Sequence, residues 1–318
     1  MSGTATARDK RSVAADYLGM AVSLVGMTLV FSLLTEHFFS AATFRTIANQ
    51  IPDAVLVAVG MTYVLIIAGI DLSVGSVLAL AGAVLGVALV EWQLSLPASV
   101  GLCLVVGLLC GGINGWVTVR WRVPSFIVTL GMLEAARGAA YLVTHSQTKY
   151  LGASIDVLTE TKLLGLSFPF LLALGIVVAG QFILTRTVLG RYVVAIGTNE
   201  EAVRLSGINT GPIKLIVFAA SGFLAALASV IHCARLASSN PNAGIGMELQ
   251  AIAAVVIGGT SLMGGRGSVV GSFFGVVIIA VLGNGLAQLG AQEPTKRLVT
   301  GLVIVAAVVL DSIRAKRA

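Results

Sequence analysis

The sequence predicts an all-α polytopic membrane protein with about ten transmembrane helices. Three observations carry that prediction. Of 318 residues, 57% are hydrophobic and only 11% are charged, where a soluble domain carries about 25% charged residues. The apolar residues fall in continuous runs of about twenty, the length needed to cross a hydrocarbon core. A membrane β-barrel would instead show roughly ten-residue segments of alternating polarity. Glycine is abundant, at 37 residues, which suits close helix packing in lipid.

Taken in order, residues 1–17 are polar and basic and read as a cytoplasmic tail. The run that follows is long enough to span, and no small-residue cleavage site marks a removable signal. Expected spans are 18–38, 51–69, 72–90, 95–119, 124–144, 163–184, 213–234, 249–263, 268–289 and 296–313, the eighth being short. Together 18–313 form the transmembrane domain, and 314–318 form a second cytoplasmic tail. With both termini inside, 13 of the 20 basic residues face inward and 6 outward, and Arg137 is left within a span. That bias supports an N-in, C-in orientation.

The inner segment 185–212 is much more polar than its flanks. Within it, "NEEAVRLSG" reads as a short amphipathic helix. Asn199 can cap its start, Glu200 and Glu201 suit its N-terminal dipole, and Gly207 can end it. Its mixed charge favours docking to a cytoplasmic partner over lying on anionic lipid.

Two stretches echo each other. "SVGS" (73–76) matches "SVVGS" (268–272) with one insertion, each following an apolar run and a glycine-containing break. This predicts a duplication of the second and third spans in the eighth and ninth. In the first stretch, Gly69 is expected to turn left-handed and end a helix. Asp71 then caps the next helix through the N–H of Ser73 or Val74, Ser73 and Ser76 add hydroxyls, and Gly75 lets another backbone approach.

Catalytic signatures are missing. "GGTSLMGGRGS" (258–268) has glycines but no Lys-Ser/Thr pair, so it supplies no phosphate-binding lysine. The three histidines and three cysteines show no metal or disulfide spacing, and the scattered basic residues do not suggest a nucleic-acid surface. No chain of intramembrane carboxylates suits a proton relay. Glu134 and Arg137 share a helix face and can pair. Asn49, Gln50, Asn114, Gln181, Asn284 and Gln288 are candidates to hydrogen-bond a polyhydroxylated solute, or to bond helices together.

With "GIDLSVGS" (69–76), "RYVVAIGTNEEAVRLSGINTGPIK" (191–214) and "AVVIGGTSLMGGRGSVVGSFFG" (254–275) in this order, the chain resembles the membrane permease subunits of bacterial ABC importers for ribose and related monosaccharides. The resemblance covers roughly residues 45–310. It implies a non-catalytic inner-membrane subunit without a cofactor of its own. ATP is bound by a separate cytoplasmic ATPase, often a tandem of two cassettes. A periplasmic binding protein delivers the sugar, and two permease chains, identical or paralogous, form the path. Segment 191–214 matches the loop by which family members contact the ATPase, through Gly197, Asn199, Glu200, Ala202, Arg204, Leu205, Ser206, Gly207 and Ile208. The resemblance does not name the sugar. The rival reading, a stand-alone secondary carrier, would move sugar down an ion gradient without ATP.

Overall fold

The computed structural model describes residues 5–152, 155, 158, 162–163, 166–303 and 305. The tail expected at 314–318 and the end of the last expected span lie outside these residues. The chain runs α1 (Ala5–Leu34), α2 (Ala41–Gln50), α3 (Pro52–Ile66), α4 (Val74–Val90), α5 (Leu96–Trp121) and α6 (Ser125–Thr144). It continues through the two-residue strands β1 (Lys149–Tyr150), β2 (Lys162–Leu163) and β3 (Leu166–Ser167). Next come α7 (Phe168–Arg186), α8 (Val188–Leu205), α9 (Thr210–Leu236), β4 (Ser238–Ser239), α10 (Met247–Ile257) and α11 (Val269–Gln288). A last helix, α12 (293–303), follows.

Helices α5, α6, α7, α9 and α11 are each long and apolar enough to cross a membrane. The pair α2–α3 makes a sixth if it is one span bent by 50°. Pro52 opens α3 at that bend, where its missing N–H is harmless. Two expectations change. The N-terminal segment is helical from Ala5 onward and runs into the first apolar run without a break. Segment 185–212, expected as a polar loop, is helical over most of its length, because Val193 and Ile196 bury one side of α8 and anchor it to the bundle.

α9 is the central post. It runs antiparallel to α5, with Gly107 against Gly222, Gly111 against Phe218 and Gly115 against Leu215. A methyl group on Gly111 would collide with the Phe218 carbonyl, so glycine at four-residue spacing is what brings the two backbones into contact.

α3 and α4 form the arms of a hairpin that straddles α9. On one side, Asp53 at the start of α3 meets His232 and Arg235 near the end of α9, each at 2.8 Å. On the other, the Ser229 hydroxyl donates to the Leu78 carbonyl and the Ser239 hydroxyl to the Gly82 carbonyl, both at 2.7 Å. With α9 between them, the arms barely touch. The later pair α10–α11 packs directly, Gly275 lying on Ala254 and Gly258 on Gly271. Among the described residues, β1 pairs antiparallel with β4 and β2 with β3.

Candidate functional site

The sequence segment singled out for docking contains a sharp bend. α8 breaks at Asn199, whose backbone is extended (φ −161°, ψ 94°), and a second short helix starts there. The Asn199 side-chain oxygen accepts the Ala202 N–H at 2.9 Å, the cap that the residue type suggests. The helix ends at Gly207, which takes φ +83°. There the N–H groups of Gly207 and Ile208 donate to the carbonyls of Arg204 and Val203, a left-handed stop that glycine adopts without steric penalty.

This short helix shows two different sides. Glu200 accepts from the Thr210 hydroxyl and from the Lys214 ammonium, both at 3.0 Å, which ties the helix to the start of α9. Glu201 pairs with Arg204 at 2.7 Å on the exposed side, and Leu205 is 81% exposed.

Burial pushes the Glu200 carboxyl up. The Lys214 hydrogen bond and charge, with the Thr210 hydroxyl and the Arg204 charge, outweigh that and hold it below its ordinary value of 4.5. A group whose pKa is depressed by its native contacts contributes fully above its ordinary pKa and is lost only as pH falls below it. The Glu200–Lys214 tie is therefore expected to stay intact from about pH 8 to about pH 5. Permease-coupled ATPase activity measured across that window should show no transition that Glu200→Gln removes. Such a transition would show that Glu200 titrates higher than its contacts require.

The other face of the bend meets both glycine-containing turns. The Ile66 carbonyl, at the end of α3, accepts the Gly265 N–H at 2.9 Å, joining the α3–α4 turn to the α10–α11 turn. Gly197 lies directly on that same carbonyl and N–H, so closely that a side chain there has no room. Gly264 (φ +84°) packs on Ala68, and Gly265 on Thr198. Three segments remote in sequence thus share one backbone junction two residues ahead of the Asn199 bend.

The α3–α4 turn departs from expectation at one residue. Ala68 takes the left-handed conformation (φ +58°), and Gly69 does not. Gly69 instead fits a tight space: its N–H donates to the Val64 carbonyl at 2.9 Å, and an added methyl would sit 3.1 Å from that carbonyl and 3.2 Å from the Phe218 ring. Asp71 is 1% exposed. One oxygen accepts the Ser73 N–H (3.0 Å) and hydroxyl (2.6 Å), and the other accepts the Ser221 hydroxyl (2.9 Å). The expected bond to Ser73 is present, but it does not cap α4: Ser73 is itself the residue before the first helical residue, Val74, and among the described residues no side chain accepts the N–H groups of that first turn. Ser221 lies 11 residues into α9 from Thr210, about 16 Å at 1.5 Å per residue, so Asp71 sits well inside the bundle. Ser76 is buried in the first turn of α4, and Gly75 admits the Gly244 backbone and the Glu248 carboxylate.

The second turn is capped from a distance. The Gln181 side-chain oxygen on α7 accepts the N–H groups of Val269 (2.9 Å) and Val270 (3.2 Å) at the start of α11. Sequence reasoning placed Gln181 among candidate solute contacts, and nothing local identifies it as the cap of a helix 88 residues away.

The remaining polar candidates divide. Gln50 and Asn284 bond each other at 3.0 Å and line a pocket of about 520 Å³ between α3, α10, α11 and α12, with Gln250 and the charged Glu293, Lys296 and Arg297. Gln288 lies one turn beyond Asn284 and donates to the Thr43 hydroxyl at 3.0 Å. Asn49 is exposed on α2. Asn114 is fully buried on α5 and donates to the Ser73 hydroxyl at 2.9 Å, joining the Asp71 network. Glu134 and Arg137 form no ion pair. Arg137 donates to the carbonyls of Pro241 and Ala243 in the segment leading to α10, whose fixed backbone acceptors lie in better position than a carboxylate one turn away.

A family model described as the permease component of branched-chain amino acid transport systems matches residues 43–308. The chain is 40% identical over 296 residues to the ribose import permease protein RbsC of Haemophilus influenzae, covering 92% of this chain and 91% of that protein. It is 35% identical to the xylose transport system permease protein XylH of Escherichia coli, covering 94% and 92%. It is 34% identical to the fructose import permease protein FrcC of Rhizobium meliloti, covering 92% and 83%. No solved structure matches the chain. An apolar helical bundle, a capped short helix seated on two glycine turns, and similarity across nearly the whole chain agree: the protein belongs to this family of membrane transport permeases.

Proposed function

We infer that the chain is the inner-membrane permease subunit of an ABC importer for a monosaccharide. The family model is described by branched-chain amino acids, but the relatives that match nearly end to end are named for ribose, xylose and fructose, and these weigh more for the substrate class. The observation that carries the mechanism is the junction of Gly197 with Ile66 and Gly265. A cytoplasmic ATPase grips the exposed Glu201–Arg204–Leu205 side of the short helix. When its cassettes close, that helix moves, and the junction passes the motion to both turns at once.

In this reading both turns face the cytoplasm, the bundle crosses ten times with N and C termini inside, and the two turns descend from one duplicated unit. The segment from β4 through α10 crosses as a broken span, since 11 helical residues are too short alone. Two chains, fed by a periplasmic binding protein and driven by a tandem-cassette ATPase, enclose the path. We assign one wall of the path to Gln50, Gln250 and Asn284, with Asn49 and Gln288 at its margin. Asn114 and Arg137 hold the frame, and Glu134 is exposed on α6. Amides offer a sugar weak, exchangeable hydrogen bonds, which suits passage better than tight binding.

The test is reconstitution of the chain with its ATPase and binding protein in liposomes. Glu201→Lys with Leu205→Glu is expected to lower uptake at least tenfold while the permease stays inserted. Gln50→Leu with Asn284→Leu is expected to lower uptake without releasing the ATPase. Uptake at the wild-type rate in the first variant would remove the docking role, and ATP-independent uptake down an ion gradient would replace the whole reading with a carrier.

A further inference from the structure

A second pocket, of about 580 Å³, lies beneath the short helix, bounded by the α3–α4 turn, the end of α5 and the starts of α6 and α9. We propose that it holds a phosphate group, supplied by the headgroup of an anionic phospholipid at the membrane surface. This rests on the reading that this end of the bundle is the cytoplasmic boundary.

The charges in the pocket are unequal. Glu200 is matched by Lys214 and Glu201 by Arg204. Arg122 also lines the pocket and has no ion-pair partner among the described residues. It ends α5 in the left-handed conformation (φ 54°, ψ 32°), where glycine is the easier residue. The unmatched charge leaves the guanidinium available to an anionic ligand. Thr118, one turn back, lines the same wall. It is 5% exposed, and its hydroxyl has no hydrogen-bond partner among the described residues. α6 begins at this pocket, at Ser125, with no side-chain cap on its first N–H groups among the described residues, and these add partial positive charge, whereas the start of α9 is already capped by Asn209. The Arg122 cation and the uncapped start of α6 together suit a phosphate.

The height of the site points to lipid as the source. Trp116 and Trp121 are exposed on α5 and pack edge to face at 4.8 Å, with the Arg120 guanidinium 6.0 Å from the Trp121 ring. Exposed tryptophan beside arginine at a helix end marks the headgroup level of a bilayer. Arg122 is at that same helix end. A phosphate there would touch the turn at Ile67–Gly69 and the docking helix together, so the anionic lipid content would tune coupling.

The experiment uses the full chain, purified in detergent and examined by native mass spectrometry with phosphatidylglycerol or phosphatidylcholine. Arg122→Gly removes the charge and suits the left-handed backbone, so misfolding is not the expected reason for lost binding. Wild type should retain phosphatidylglycerol over phosphatidylcholine. Arg122→Gly should lower that retention roughly fivefold, the weight of one cation at an anionic surface, and Arg186→Gln, outside the pocket, should not. A second arm adds millimolar inorganic phosphate in phosphatidylcholine alone. Binding there that depends on Arg122, without preference for phosphatidylglycerol, would keep the phosphate site and assign it to a soluble source. Equal retention in wild type and Arg122→Gly, with no phosphate binding, overturns the proposal. ATPase stimulation by the sugar-loaded binding protein, intact in that case, would leave the importer reading standing.

Discussion

Gly197→Ala is expected to reduce sugar uptake by at least tenfold while the ATPase still hydrolyses ATP. The added methyl group would sit on the Ile66 carbonyl and beside the Gly265 N–H, the two ends of the bond that joins the glycine turns. Neither side gives easily. Ile66 is fully buried, and α8 is pinned by Val193 and Ile196. Forcing a methyl group into such a contact costs about 1–3 kcal/mol, and 1.4 kcal/mol is a factor of ten in any equilibrium the junction controls. The strain falls on the segment that carries motion from the docking helix, so coupling should fail before insertion does. Gly138→Ala on α6, where an added methyl meets nothing within 4 Å, is the matched control and should transport normally. Uptake, ATPase rate and the amount of inserted permease are read together in proteoliposomes. Normal uptake by Gly197→Ala would mean that the junction is not on the route of coupling.

What the sequence made legible follows from how far apart the interacting groups lie along the chain. Asn199 caps and Gly207 stops a helix through bonds to residues within four positions, so residue type and spacing identify them. The Asp71–Ser73 bond is legible for the same reason. Gly69 misled because the rule that assigns left-handed turns to glycine considers only backbone freedom. Here the tight space beside Phe218 claimed the glycine, and Ala68 took the turn. Glu134 and Arg137 misled because helix spacing shows who can meet, while carbonyls more than a hundred residues away won the guanidinium. The straddling of α9 by α3 and α4, the Gln181 cap on α11 and the Gly197 junction are all long-range contacts. No periodicity or local motif encodes them, and only packing reveals them.

Asp71→Ala is expected to destabilise the folded permease by roughly 3 kcal/mol, and Asp71→Asn by far less. Asp71 is a buried carboxylate with no basic side chain in ion-pair contact among the described residues. A burial of that kind is tolerable only if hydrogen bonds replace water. Three donors do so: the Ser73 N–H, the Ser73 hydroxyl and the Ser221 hydroxyl. Alanine leaves all three without their acceptor, and a buried donor left unpaired costs about 1–3 kcal/mol, with less than full addition because the hydroxyls can turn. Asparagine keeps one oxygen for Ser73 and presents an amide to Ser221, whose hydroxyl oxygen can accept it. It also removes a charge that the interior stabilises only through dipoles. The effect should reach beyond the turn, since Ser73 also receives the Asn114 amide from α5 and Ser221 belongs to α9. The carboxylate therefore ties the hairpin to both helices it packs between. Thermal unfolding in detergent together with uptake in liposomes separates this from a role for the charge itself. If Asp71→Asn melts like wild type yet carries no sugar, the negative charge acts in transport, and the bonds to Ser73 and Ser221 are only what hold it in place.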